Sequence, residues 1–154
     1  MMTHEALLEY IGNWSDTIEV ETEGVSLPTV KIGLADLYDV MKRLRDDEAT
    51  RFDYLYCVSG VDWDPALGVV YHMESTIHRH SLVVKASTED RDQPVFPTVS
   101  DLWPTANFHE REIHDLLGIT FEGHPNMAPL ILTEEWEGYP LRKDYVDEVN
   151  MVIK

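Results

Sequence analysis

Apolar positions along this chain follow two rhythms, and the rhythm changes at glycines and prolines. Leu7, Tyr10, Ile11 and Trp14 recur at helical spacing behind Thr3, whose hydroxyl can cap a helix start. Residues 17–25 then alternate as a strand, and Gly24 with Pro28 brackets a turn into a second strand over 29–32. Leu34, Leu37, Met41 and Leu44 return to helical spacing. Asp36 in the first turn of that helix and Lys42, Arg43 and Arg45 in the last complement its dipole. Residues 52–61 are aromatic and β-branched, which predicts a buried central strand. In residues 69–78 the alternation is clean: Val69, Tyr71, Met73, Ser75 and Ile77 share one face, His72, Glu74, Thr76 and His78 the other. Residues 81–87 read as the hairpin partner, joined through Arg79-His80, and the charged, proline-bearing residues 88–97 as a loop.

A third helix follows with both ends marked. Pro104 precedes two candidate N-caps, Thr105 and Asn107, and Asn107 with Glu110 has capping-box spacing. Gly118, after Leu116 and Leu117, is the natural left-handed stop, with Ile119 placed for the hydrophobic contact of a C-cap. Ala106, Ile113, Leu116 and Leu117 cluster on one side, whereas Phe108, Arg111 and Asp115 project to the other. Glu110 lies beside the apolar stripe and needs a donor, an arginine or backbone amides. A phenylalanine on the charged side implies that a loop or a partner covers it. Beyond the stop, Gly123-His124-Pro125 and Trp136-Glu137-Gly138-Tyr139-Pro140 read as ordered irregular backbone. The whole pattern predicts an α+β two-layer sandwich: a mainly antiparallel sheet, helices on one face, and an irregular C-terminal segment. One domain is expected over residues 1–154, with a body to 100, a signature helix and docking loop over 101–145, and a short tail.

Charge narrows the partners. With 29 acidic against 12 basic residues the net charge is −17, so nucleic-acid backbone and anionic lipid are repelled. The single cysteine, Cys57, excludes an internal disulfide and a cysteine-ligated iron–sulfur cluster within the chain, and its apolar neighbours predict a buried structural thiol. No apolar run approaches the ~20 residues of a membrane span, and the first residues lack the basic and apolar regions of a signal peptide, so an intracellular protein is expected.

Candidate chemistry is sparse. Asp62-x-Asp64 could hold a metal but reads better as a turn with an Asx cap. His109-Glu110-x-x-x-His114 approaches the zinc-hydrolase motif with one residue too many, which puts the two histidines about 140° apart on the helix. Glu110 and His114 alone do not make a site, so a small metal-dependent hydrolase, with His124 in support, is the lesser alternative. No nucleophile elbow, P-loop or dinucleotide fingerprint is present.

Four segments then carry a resemblance: Glu110-Arg111-Glu112; Asp115-Leu116-Leu117-Gly118-Ile119; Phe121-Glu122-Gly123-His124-Pro125; and the run from Glu135 through Trp136, Gly138, Pro140, Leu141, Arg142, Lys143 and Asp144 to Tyr145. In order and gaps they resemble the 30-kDa-subunit family of respiratory complex I, with homologues in deazaflavin-dependent dehydrogenases and membrane-bound hydrogenases. Ala128-Pro129, where the family usually has basic residues, and Val146, where it has proline, depart from the pattern and leave the hydrogenase subtype open. The resemblance implies a cofactor-free, non-catalytic assembly subunit of the hydrophilic arm of a proton-translocating NADH:quinone-type oxidoreductase. Its expected partners are the large 49-kDa-type subunit and neighbouring iron–sulfur subunits, with clusters, flavin or nickel–iron site only in those partners. Its expected location is peripheral, on the inner face of the cell membrane through the complex. Its signature residues are the expected partner interface, with Trp136 and Arg142 as anchors; the alternative is that Trp136 packs into the chain's own core and Arg142 caps its own acidic residues.

Overall fold

The computed structural model describes residues 3–21, 24–127 and 138–143. Helix α1, His4–Gly12, opens as predicted, with Thr3 Oγ1 accepting from the Ala6 amide at 3.1 Å. Strand β1, Glu19–Glu21, is much shorter than the alternation suggested, and β2 runs Thr29–Lys31. Helix α2, Leu34–Asp46, buries Leu37, Val40, Met41 and Leu44. A meander follows: β3 (Tyr54–Asp62), β4 (Leu67–Ser75) and β5 (His80–Thr88). Then come β6 (Val95–Pro97), α3 (Ala106–Leu117) and β7 (Thr120–Glu122).

The main sheet has the order β1-β2-β5-β4-β3, antiparallel throughout except for the parallel pair β2–β5. A second sheet pairs β6 with β7 in parallel, so the predicted loop over 88–97 ends in a strand. The helices pack on the face that carries Val69, Tyr71 and Met73, all buried. This is the expected α+β sheet covered by helices.

Three local expectations are corrected. The strand at Tyr54–Asp62 is an edge strand, not a central one. Its core residues Leu55 and Val58 stand three apart, which a regular strand cannot place on one face. A bulge between Leu55 and Cys57 resolves this: Leu55 pairs with Met73, Cys57 with His72 and Val58 with Tyr71. Cys57 is therefore half-buried on the face opposite the helices, its Sγ 3.4 Å from Ser59 Oγ. Finally, the β4–β5 turn occupies residues 76–79, with Arg79 at φ 57, and leaves Ile77 exposed. His80 opens β5 from a buried position and bonds the Thr50 carbonyl at 2.8 Å.

Candidate docking surface

Helix α3 reaches β3 because β3 has no side chain at Gly60. A Cβ there would collide with Leu117 Cδ1 and lie 2.9 Å from Ile113 Cγ2. The helix starts at Thr105, whose hydroxyl donates to the Leu55 carbonyl at 3.0 Å rather than capping the helix. Asn107 lies inside the helix, so the predicted capping box does not form. Glu110 faces inward, where Thr98 Oγ1 and the Val99 amide donate to its carboxylate at 2.5 and 3.0 Å. It is fully buried, and that burial pushes its pKa up to about 7, partly opposed by these two bonds.

His124 completes the inner layer. Its side chain is fully buried. Nδ1 accepts from the Asn126 amide at 2.8 Å, which leaves the proton on Nε2 to donate to the Asn107 carbonyl at 3.2 Å. Nε2 stands 4.0 Å from Glu110 Oε1, too far for a hydrogen bond. Gly123, at φ 86, makes the turn that brings His124 inward, and Pro125 is exposed beside it.

The far end of α3 carries a built cap. Gly118 adopts φ 78, as its position predicted, and its amide donates to the His114 carbonyl at 2.9 Å. Tyr139 lies on Gly118, where an added Cβ would be 2.6 Å from Tyr139 Cε2. The Leu141 amide donates to the Leu116 carbonyl at 3.0 Å, and Arg142 Nε to the Leu117 carbonyl at 2.6 Å. Arg142 Nη1 reaches the Arg91 carbonyl at 2.9 Å, and its guanidinium carbon sits 5.0 Å above the Tyr139 ring. Arg142 thus caps the negative end of the helix with its own cation. Among the described residues, the expected alternative partners, acidic side chains, do not receive it. Arg91 grips Asp62 with two bonds of 2.7 and 2.8 Å, and Asp62 also accepts from the amides of Lys143 and Asp64. Those donors, the Arg91 guanidinium first, hold the Asp62 carboxyl well below the usual carboxylate range. The Asp64 bond is the Asx turn read from the sequence.

Of the remaining signature residues, Arg111 is half-buried with its guanidinium 6.0 Å from the Phe108 ring, and Glu112 is exposed. Asp115, predicted to project outward, is buried at 6% exposure. Gly138, at φ 82, and Pro140 shape the turn under Leu141, while Lys143 is exposed. Trp136, Asp144 and Tyr145 lie outside the described residues. Glu110 and His114 do not converge as a hydrolase pair needs, since His114 Nδ1 bonds the Ile119 carbonyl at 3.0 Å. Sequence reading missed Thr98 and Arg91, and placed Tyr139 in the docking segment without its contact on Gly118; only an unpaired Glu110 demanding a donor hinted at the first.

Beside the exposed Glu112 and Lys143, this surface presents large apolar side chains. Phe108 and Leu141 remain 61% and 59% exposed, and Tyr139 39%. Among the described residues no group of three His, Cys, Asp or Glu side chains is arranged to hold a metal ion.

Known proteins resemble this chain in sequence and in fold. The family model described as respiratory-chain NADH dehydrogenase, 30 Kd subunit, matches residues 30–149. The C subunit of NADH-quinone oxidoreductase from Chloroherpeton thalassium is 50% identical over 114 residues, covering 72% of this chain and 47% of that protein. The C/D subunit from Phocaeicola vulgatus is 43% identical over 130 residues, covering 84% of this chain and 24% of the relative. The C subunit from Chlorobium phaeobacteroides is 36% identical over 138 residues, 86% of this chain and 81% of its own. The chain thus spans about half the length of the first relative and about a quarter of the second. Among solved structures, a chain of the membrane-bound sulfane sulfur reductase, an archaeal respiratory membrane complex, shares the fold with a TM-score of 0.78. At 24% identity it covers 94% of this chain and 86% of its own.

Proposed function

The chain belongs to the family of the respiratory-chain NADH dehydrogenase 30 Kd subunit, and from that membership we propose that it is a non-catalytic assembly subunit of a complex I-like NADH:quinone oxidoreductase. One observation carries the reading. Around α3, Glu110, His114, His124 and Arg142 bond the chain's own backbone, while Phe108 and Leu141 stay exposed. A catalytic cleft has the opposite arrangement, with apolar walls behind and polar groups presented. Exposed apolar side chains at both ends of a capped helix suit an interface.

The partner proposed for this surface is the large, 49-kDa-type subunit. Relatives with the double designation C/D, in which two such subunits share one chain, support a direct contact. Iron–sulfur clusters and flavin belong to neighbouring subunits in this proposal. Attachment to the membrane is peripheral and through the complex; among the described residues no helix is long and apolar enough to cross a membrane. With Arg142 engaged internally, Phe108 and Leu141 are the anchors we assign among the described residues.

The test is co-purification of the native complex on a tagged copy of this subunit. Wild type should bring down the large subunit, and Leu141→Asp and Phe108→Asp should each weaken assembly by about 2 kcal/mol, the loss of one buried anchor. Their melting temperatures should stay near wild type, because both side chains are exposed in the isolated chain. A wild-type subunit that purifies alone, or variants that assemble fully, would overturn the reading.

A further inference from the structure

The face of the main sheet opposite the helices has a composition of its own. The bulge in β3 gives that strand one more residue than β4 between Leu55 and Cys57. Leu55 and Val58 can therefore both enter the core while Tyr56 joins Tyr54 on the other side. The Tyr54 and Tyr56 rings stand 5.8 Å apart, and Tyr56 and His72 5.9 Å, so the three form a continuous strip. Tyr54 and Tyr56 keep 48% and 38% of their surface exposed. Glu74 sits directly across from Tyr54 on β4 and, among the described residues, forms no ion pair. Lys85, on the same face, is already bonded to Glu21 at 2.8 Å.

We propose that this strip is a second docking site, for an arginine-bearing segment of a partner protein, with the guanidinium on the Tyr54 and Tyr56 rings and paired to Glu74. The site is distinct from the α3 surface, and the proposal rests on the reading that the chain works within an assembly. Tyrosine faces carry negative potential and accept a cation lying over them. Arginine is the cation that can stack flat on an aromatic ring and hold a carboxylate through two parallel bonds, which a lysine ammonium cannot do. Charge selects the same occupant. A chain of net charge −17 repels a second copy of itself, nucleic acid and anionic lipid, and attracts a basic segment.

The experiment places a photo-crosslinking phenylalanine analogue at position 54 within the assembled native complex and sequences the adduct. The expected product joins residue 54 to a partner peptide that contains arginine near the attachment point. Its yield should fall at least tenfold in Glu74→Lys and several-fold in Tyr56→Ala, with the large subunit still co-purifying through α3. Thermal melts of both variants should match wild type, since the altered side chains lie outside the core. The proposal is overturned by an adduct with a second copy of this chain or with a peptide lacking arginine. A yield indifferent to Glu74→Lys, or an intact complex that gives no adduct, overturns it equally and leaves the α3 reading standing. A subunit that never co-purifies with a partner overturns both.

Discussion

A carboxyl group sealed from water, with two neutral donors and no cation in hydrogen-bond reach, is most stable when it keeps its proton. Among the described residues Glu110 is such a group. Around it stand the Tyr71 hydroxyl, the neutral imidazole of His124 and, further off, the Asp101 carboxylate, none of which offers a positive charge. Its pKa is raised from 4.5 to about 7 by folding. Its stabilising contribution is therefore full below 4.5 and is lost as pH rises through 7, a swing on the order of 3 kcal/mol. His80 acts in the reverse sense. Burial lowers its pKa from 6.5, so its contribution is full above 6.5 and is lost as pH falls below that value. The two slopes oppose one another just below 6.5. In Glu110→Gln the His80 slope should emerge, so urea-unfolding free energy should climb with pH on the approach to 6.5 and no longer fall between there and 7. A variant with the wild-type profile would show that Glu110 does not titrate in the folded chain.

At the scale of elements, α3 is fixed at both ends by glycines used in different ways. Gly60 lets the helix approach the sheet, and Gly118 lets the chain leave it in the left-handed region under the Tyr139 ring. Gly118→Val adds a β-branched clash to a ring collision and should cost at least about 2 kcal/mol; Gly60→Ala, which only overpacks, should cost roughly 1–3. Each kilocalorie should lower the melting temperature by about 2–4 °C in a chain this size, and calorimetry reads both. Gly118 was legible in the sequence because a helix stop has a local signature. The same holds for Thr3, for α2 and for the hairpin strands β4 and β5, whose periods are intact. Gly60 was not legible, since its meaning lies in Leu117 and Ile113, more than fifty positions away. The edge position of β3 was hidden by the bulge, which places Leu55 and Val58 in the core at a spacing that looks like continuous burial. At the docking surface the residue types could be read, but not their direction. Whether Arg142 faces a partner or the end of its own helix depends on where α3 stops in space.

Over the whole molecule, one polar network ties the last described residues to the sheet. Asp62 at the end of β3 holds Arg91, the Arg91 carbonyl holds Arg142, and Arg142 caps α3. Asp62 is almost fully buried, so Arg91→Ala leaves its charge with only backbone donors and should destabilise the fold by roughly 3 kcal/mol. Amide hydrogen exchange should show residues 138–143 losing protection first, and unchanged protection there would sever the proposed link. The strand order carries a consequence of a different kind. Strands β3, β4 and β5 pair with their neighbours in sequence and can close as successive hairpins on a timescale of microseconds. Strand β2 must find β5 in parallel, Thr29 beside Val83, across a loop on the order of fifty residues whose closure entropy comes before any reward in contacts. Local closure therefore predicts the meander as the folding nucleus. On that order the amino-terminal third joins last, its arrival sets the rate, and until it comes β5 is an open edge for another chain to occupy. Substitutions in β2 should then change the unfolding rate and leave the folding rate of the meander unaltered in stopped-flow kinetics.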